Sequence, residues 1–258
     1  MKIYMPFLLK NLINDVSGNE IGKDVNLFLS NRLTDVFMTE WTYGLSLFRQ
    51  AICNYEKNRG VSPANSKSEV PFFRENMNLL VGPEMSIYAA RLYETYDACL
   101  MEHPDLILTL DYEKLGEHCI FENLFLLKCK YEEEQTVRFF EKQLETEYDK
   151  FFYDEEYTGF APDSRFFSLL CNACLEIRES RFADQKEWIL ASLLRTDDAA
   201  YRYCNGRLES FATTSVPFDL IERISMPHYK ERRDEYTALA GFLKQKGLNP
   251  EELLDGFE

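Results

Sequence analysis

The spacing of apolar residues changes several times along the chain, and each change of period predicts a new element. Residues 2–9 read as an opening strand. Residues 24–33 follow a Gly/Lys turn and fit strand or helix equally, because periodicity does not separate the two there. Thr39 has the chemistry of a helix N-cap. Beyond it Leu45, Phe48, Ile52 and Tyr55 fall on one helical face, and Gly60 supplies a stop. Residues 61–70 have turn chemistry in Ser62, Pro63, Asn65, Ser66 and Ser68. Gly82 and Pro83 then predict a helix with proline in its first turn. Met85, Ala89, Leu92, Tyr96 and Cys99 share its face, and Pro104 ends it.

The pattern becomes strand-rich after that proline. Residues 106–110 predict a strand, 111–118 a short helix or turn, and 123–131 a second strand, apolar enough to be central. Residues 132–152 form a long amphipathic helix with Val137, Phe140, Leu144, Tyr148 and Phe151 as its buried stripe. Its acidic start, Glu132 to Glu134, suits the positive end of the helix dipole. A polar link over 154–163 precedes a helix lined by Phe167, Leu170, Cys174 and Ile177. Residues 188–194 predict a strand, and Asn205-Gly206 a tight hairpin between 200–204 and 207–213. Residues 217–225 hold a short helix and a strand, 228–246 a final helix closed by Gly247, and 249–258 a short turn and tail.

These elements predict an α+β fold: a mixed or antiparallel sheet, with strands near 106, 124, 188, 201, 207 and 222, packed with helices. The 258 residues read as one α+β domain, with 1–104 mostly helical and 105–250 the strand-rich core.

Composition narrows the function classes. The net charge of -15 repels phosphate backbones and anionic membrane surfaces, so neither nucleic acid nor membrane is an expected partner. The basic residues Lys230, Arg232 and Arg233 read as a solvated helix face. Seven cysteines, odd in number and without a framework, fit free thiols in a reducing compartment. The N-terminus lacks the pattern of a signal peptide and no stretch is long enough to span a membrane, so the expected location is the cytoplasm.

Few motifs carry chemistry. Cys171-x-x-Cys174 has zinc or redox spacing but no second pair, and it falls inside a predicted helix, so no metal site is expected. His103, His118 and His228 have no metal or nucleophile spacing. Phosphate-cradling glycine motifs are missing. The acidic clusters at 132–134 and 154–156 read as solvated faces rather than cation sites. The most suggestive segment runs from Arg181 to Trp188. Glu187 precedes a predicted strand, and Trp188 offers a flat apolar wall of the kind that raises a neighbouring carboxyl pKa; the plainer reading is a glutamate facing solvent at a strand edge with the tryptophan in the core.

Several segments of the second half, taken in order, resemble the bacterial DUF2971 family of uncharacterised proteins. They are Leu106 to Leu115, Leu127 to Tyr131, Phe182 to Leu190, Tyr201 to Leu208, Val216 to Ile224 and Leu239 to Gly247. The resemblance covers about residues 105–250. Ile189 stands where the family motif has arginine, and Gln185 stands where it has its first glutamate. Gln185-x-Glu187 is also similar to the Q/E-x-E element of ADP-ribosyltransferases. In those enzymes the second glutamate holds the nicotinamide ribose of NAD and stabilises an oxocarbenium-like transition state. That likeness implies Glu187 and Gln185 as catalytic residues, and Tyr4, Thr39 and Trp188 as cofactor-binding ones.

The missing signatures and the departures at Gln185 and Ile189 favour a non-catalytic or degenerate family member with an interaction or regulatory role, a protein partner and no cofactor. An NAD-consuming transferase built on Glu187 is the alternative.

Overall fold

The computed structural model describes residues 1–9, 12, 24–31, 38–68, 85–153, 175–195, 198–204 and 207–255. Among them nine strands form a single antiparallel sheet: β1 (Lys2–Phe7), β2 (Asp24–Asn31), β3 (Met85–Tyr93), β4 (Leu106–Asp111), β5 (Phe125–Lys128), β6 (Glu187–Arg195), β7 (Ala200–Cys204), β8 (Arg207–Pro217) and β9 (Ile221–Ser225). The helices are α1 (Met38–Asn58), α2 (Tyr96–Leu100), α3 (Tyr112–Phe121), α4 (Glu133–Tyr153), α5 (Arg233–Gln245) and α6 (Pro250–Leu253). None of these is long and apolar enough to cross a membrane.

β3 is the hub of the sheet. One edge pairs along its whole length with β6, from Met85 opposite Arg195 to Tyr93 opposite Glu187. The other edge is shared. β2 takes its middle, at Ala89 and Tyr88, and β1 takes its end, where Tyr4 faces Tyr93. The sheet therefore forks into one arm through β2, β8 and β7 and another through β1, β4 and β9, with β5 outside β6.

Alternation along the strands sorts residues to the two faces. Ile3, Met5, Phe7, Leu92, Leu106, Leu108, Leu110, Trp188 and Leu190 enter the main core, with Leu239 and Leu243 of α5 covering it. The opposite face carries Tyr93 and Ile107 under α2, then Ala89, Ile189 and Ala191 beside Cys129. α1 and α4 pack on each other, Phe48 against Phe140 and Tyr55 against Tyr148. Glu56 is buried between them. It accepts hydrogen bonds from the Tyr148 hydroxyl (2.5 Å), the Ser66 hydroxyl (2.5 Å) and the Lys67 amide (2.7 Å), which ties the loop after α1 to the helix pair.

The α+β class, the long helices α1 and α4, and the strands at 106, 188, 200, 207 and 221 agree with the sequence pattern. Within the span from Gly82 to Pro104, where a helix is expected, Met85–Tyr93 is instead strand β3, followed by the short α2; residues 82–84 lie outside the described residues. Met85, Ala89 and Leu92 fit a helical stripe, but β3 is apolar on both faces because both are covered, and such a strand loses the period that identifies it. Of segment 24–33, which fits helix or strand by sequence, Asp24–Asn31 is strand β2, and residues 32–33 lie outside the described residues. Three strands thus accompany α1 in the first third of the chain, and they pair directly with β4, β6 and β8 of the remainder. β5 is four residues long and lies at a sheet edge, not at its centre. Glycines close α1 and α5 as expected. Gly60 and Gly247 have φ of 71° and 79°, and the residue after each donates back to Glu56 and Leu243 respectively. The predicted helix with Phe167, Leu170 and Cys174, the cluster at 154–156 and the Asn205-Gly206 turn lie outside the described residues. Cys204 and Arg207 on either side of that turn are paired.

Tyr88 is fully buried, and its hydroxyl has no hydrogen-bond partner among the described residues. Tyr88→Phe removes that unsatisfied group at almost constant shape. It is expected to raise stability by about 1 kcal/mol in urea denaturation, where most core substitutions lower it.

Candidate functional site

Glu187 opens β6, immediately after a short 3₁₀ turn (Ser180–Gln185) and Lys186, whose φ of 47° turns the chain into the sheet. The strand register sets what surrounds it. Tyr4, Tyr93 and Glu187 form one row across β1, β3 and β6. Arg91, two residues before Tyr93, falls on the same face. Glu187 is 3% exposed, and the guanidinium of Arg178, itself 2% exposed, approaches it with Nε 2.7 Å from Oε2. The Arg91 Nε lies 4.0 Å from the other carboxylate oxygen. Arg91 also reaches Glu102 at 3.8 Å, and Glu102 accepts from the Tyr93 hydroxyl at 2.8 Å. Two guanidinium groups and two carboxylates therefore alternate along one line, and each buried charge faces an opposite one.

The backbone holds this pair from three directions. The Glu187 amide donates to the Tyr131 hydroxyl (2.8 Å), and the Glu187 carbonyl accepts from the Cys129 amide (3.0 Å). The Arg178 amide donates to the Lys130 carbonyl (2.9 Å), beside a parallel bridge between Lys130 and Ile177. Burial lowers the Arg178 pKa, and the charge and hydrogen bond of Glu187 oppose that shift. The guanidinium remains charged in any case. Burial raises the pKa of Tyr131, and of Tyr93 next to Glu102, so both phenols stay protonated.

Trp188 faces the other way. Consecutive strand residues point to opposite sides, so its ring cannot form a wall for Glu187. It packs edge-on against Tyr112, and its indole N–H donates to Glu94 at 3.0 Å. The Lys128 ammonium sits 2.6 Å from Glu94 and 5.4 Å from the centre of the Trp188 ring.

The residues predicted for NAD chemistry are thus only partly gathered. Glu187 and Tyr4 share a face but are separated by the whole of β3. Gln185 ends the 3₁₀ turn beside Glu187 and is half-buried. Trp188 lies across the sheet from them. Thr39 lies in the first turn of α1, which packs on α4 rather than joining the sheet, and its side chain is outside the described residues.

Sequence reasoning did not single out Arg178, Arg91, Tyr131 or Glu102. Arg91 carries a strand-period signal only once β3 is read as a strand. Arg178 has no local signal at all.

Behind Tyr131 opens a groove of about 670 Å³. Its walls come from the β5–α4 connection (Cys129 to Glu132), the first turns of α4 (Gln135, Thr136, Phe139) and the segment from Glu176 to Ala183. Tyr131 joins the two features, because its ring lines the groove while its hydroxyl meets Glu187.

Among the described residues no three His, Cys, Asp or Glu side chains are placed to hold a metal ion. Glu133 instead accepts from Tyr43, and Glu134 pairs with Arg138. In the basic segment, Arg232 is held by Glu235 and Asp105. Cys99 and Cys119 are buried free thiols, and Cys129 is buried as well. Burial pushes Cys119 up to about 11 and raises Cys99 as well, so both stay protonated and unreactive. Cys171 and Cys174 lie outside the described residues. Compared with known proteins, the chain matches no family model, no curated protein and no solved structure.

Two outcomes follow from this geometry. Glu187→Ala leaves Arg178 buried beside an empty site and is expected to cost about 3–5 kcal/mol. Replacing both partners, Arg178→Met with Glu187→Leu, restores most of that loss, as chemical denaturation of the three variants measures. For Glu94, burial works to raise the carboxyl pKa, but hydrogen bonds from Lys128 and Trp188 outweigh it and hold the pKa below the ordinary value. A carboxyl depressed by folding contributes stability above its unfolded pKa and loses it as the pH falls through the folded one. Between about pH 5 and pH 3 the melting temperature of Glu94→Gln is therefore expected to fall less steeply than that of the unaltered protein.

Proposed function

We propose that this chain is a non-catalytic protein with an interaction or regulatory role, and that the groove beside Tyr131 is its contact surface. One observation carries the reading: the carboxylate best suited to chemistry, Glu187, is 3% exposed and already engaged by a buried guanidinium at 2.7 Å. A glutamate that stabilises an oxocarbenium-like centre must face its substrate with a free oxygen. Here Arg178 and Arg91 stand on the two carboxylate oxygens, and Trp188 points to the other side of the sheet. Freeing Glu187 for ribose would take from the buried Arg178 guanidinium the carboxylate it faces at 2.7 Å, a cost of several kcal/mol.

The NAD-dependent alternative built on Glu187, Gln185, Tyr4, Thr39 and Trp188 is weakened for the same reason. Buried free thiols with raised pKa support a reducing, cytoplasmic setting. A relation to the DUF2971 family rests on the ordered segments between residues 105 and 250.

Thermal melting with NAD tests the proposal. A ligand of the native state present at about a hundredfold over its Kd adds about 2.7 kcal/mol of stability. No upward shift is expected with NAD at millimolar concentration. A shift that disappears in Glu187→Gln, a variant that keeps the shape of the side chain, would overturn the non-catalytic reading.

A further inference from the structure

The groove has a definite chemical character. Tyr131, Phe139, Ile177 and Ala183 give it apolar walls, and Phe139 is an aromatic ring left 39% exposed. Its volume suits a few side chains of a bound segment rather than a folded surface. Two carboxylates line it, Glu132 and Glu176. Glu176 is paired with Lys130, whose ammonium lies 5.9 Å from the centre of the Phe139 ring. Glu132 makes no ion pair among the described residues, and it lines the groove as an exposed residue. The groove thus already holds one ammonium between a carboxylate and an aromatic ring, with a second carboxylate beside it unmatched. Lys128, between Glu94 and Trp188, is held by the same combination on the other face of the sheet. Carboxylate plus ring is a good trap for a cation that arrives with an apolar stem.

We infer that this groove receives a short extended segment of a protein partner in which basic side chains alternate with apolar ones. A cationic side chain meets Glu132, and its apolar neighbours pack on Phe139 and Ile177. The inference rests on the interaction role proposed above and names the partner's chemistry. Charge complementarity favours this occupant over others. With a net charge of -15, the protein attracts a basic segment at long range and repels a second copy of itself or an acidic ligand. An extended strand presents alternate side chains to one side, which matches a groove lined by an exposed carboxylate together with apolar side chains.

Fluorescence anisotropy with a labelled short peptide of alternating lysine and leucine tests this. It is compared with the glutamate–leucine counterpart, and with spermidine as a competitor that has charge but no apolar side chains. The lysine–leucine peptide is expected to bind and the glutamate–leucine peptide not to. Glu132→Lys and Phe139→Ala should each weaken binding about tenfold, as loss of one well-placed contact does. Both positions are exposed, so circular dichroism should be unchanged. Equal affinity in the variants would mean adhesion by overall charge and would overturn the inference. Competition by spermidine as strong as by unlabelled peptide would overturn it too, since the apolar walls would then contribute nothing. An NAD shift that depends on Glu187 would remove the interaction role itself, whereas unchanged affinity in Glu132→Lys removes only this assignment of the groove.

Discussion

The ion pair between Arg178 and Glu187 is the constraint on which the rest of this face depends. Three stretches meet there: the start of β6, the residues just before the 3₁₀ turn that leads into it, and the connection from β5 to α4, which is distant in sequence. Each supplies backbone as well as side chain, through the amide and carbonyl of Glu187, the amide of Arg178 and the carbonyl of Lys130. An ion pair sealed from water is not a large source of stability, because desolvation consumes most of its Coulomb attraction. It is intolerant of being half made, however, and that asymmetry disfavours any arrangement in which the three stretches part. The groove inherits its shape from this arrangement, since Tyr131 and Ile177 are neighbours of the paired residues.

A second polar knot works in the same way at the helix pair. Glu56, buried between α1 and α4, is satisfied by Tyr148, Ser66 and the Lys67 amide. Around it the Arg59 guanidinium lies over the rings of Tyr55 and Tyr148 and pairs with Asp149. Apolar stripes bring the two helices together, but stripes alone tolerate a shift of one turn. A carboxylate with fixed partners does not.

Much of the fold was legible where one period held over many residues. The stripe of α4 from Val137 to Tyr148 and the run Leu106 to Leu110, apolar except for Thr109, needed nothing from the rest of the chain. β3 was not legible. Met85, Ala89 and Leu92 mimic a helical face because a strand covered on both sides has little alternation left. The candidate site was half legible. A carboxylate ahead of a strand drew attention to Glu187, but its partners Arg178 and Arg91 carry no local signature, and neither does the groove. Trp188 enters the core, away from Glu187, for a geometric reason: adjacency in a strand means separation in space.

By itself the sequence determined the α+β class, the long amphipathic helices and the acidic field, all of which follow from local period or from summed composition. Only the tertiary structure decided that β3 is the hub of the sheet, that Glu187 faces Arg178 rather than open solvent, and that Glu132 and Phe139 border one groove. The reason is physical. Period and composition are properties of neighbours along the chain, whereas the pairing of a buried charge depends on how a turn folds the chain back, as for Arg178, and on which strands the register sets side by side, as for Arg91.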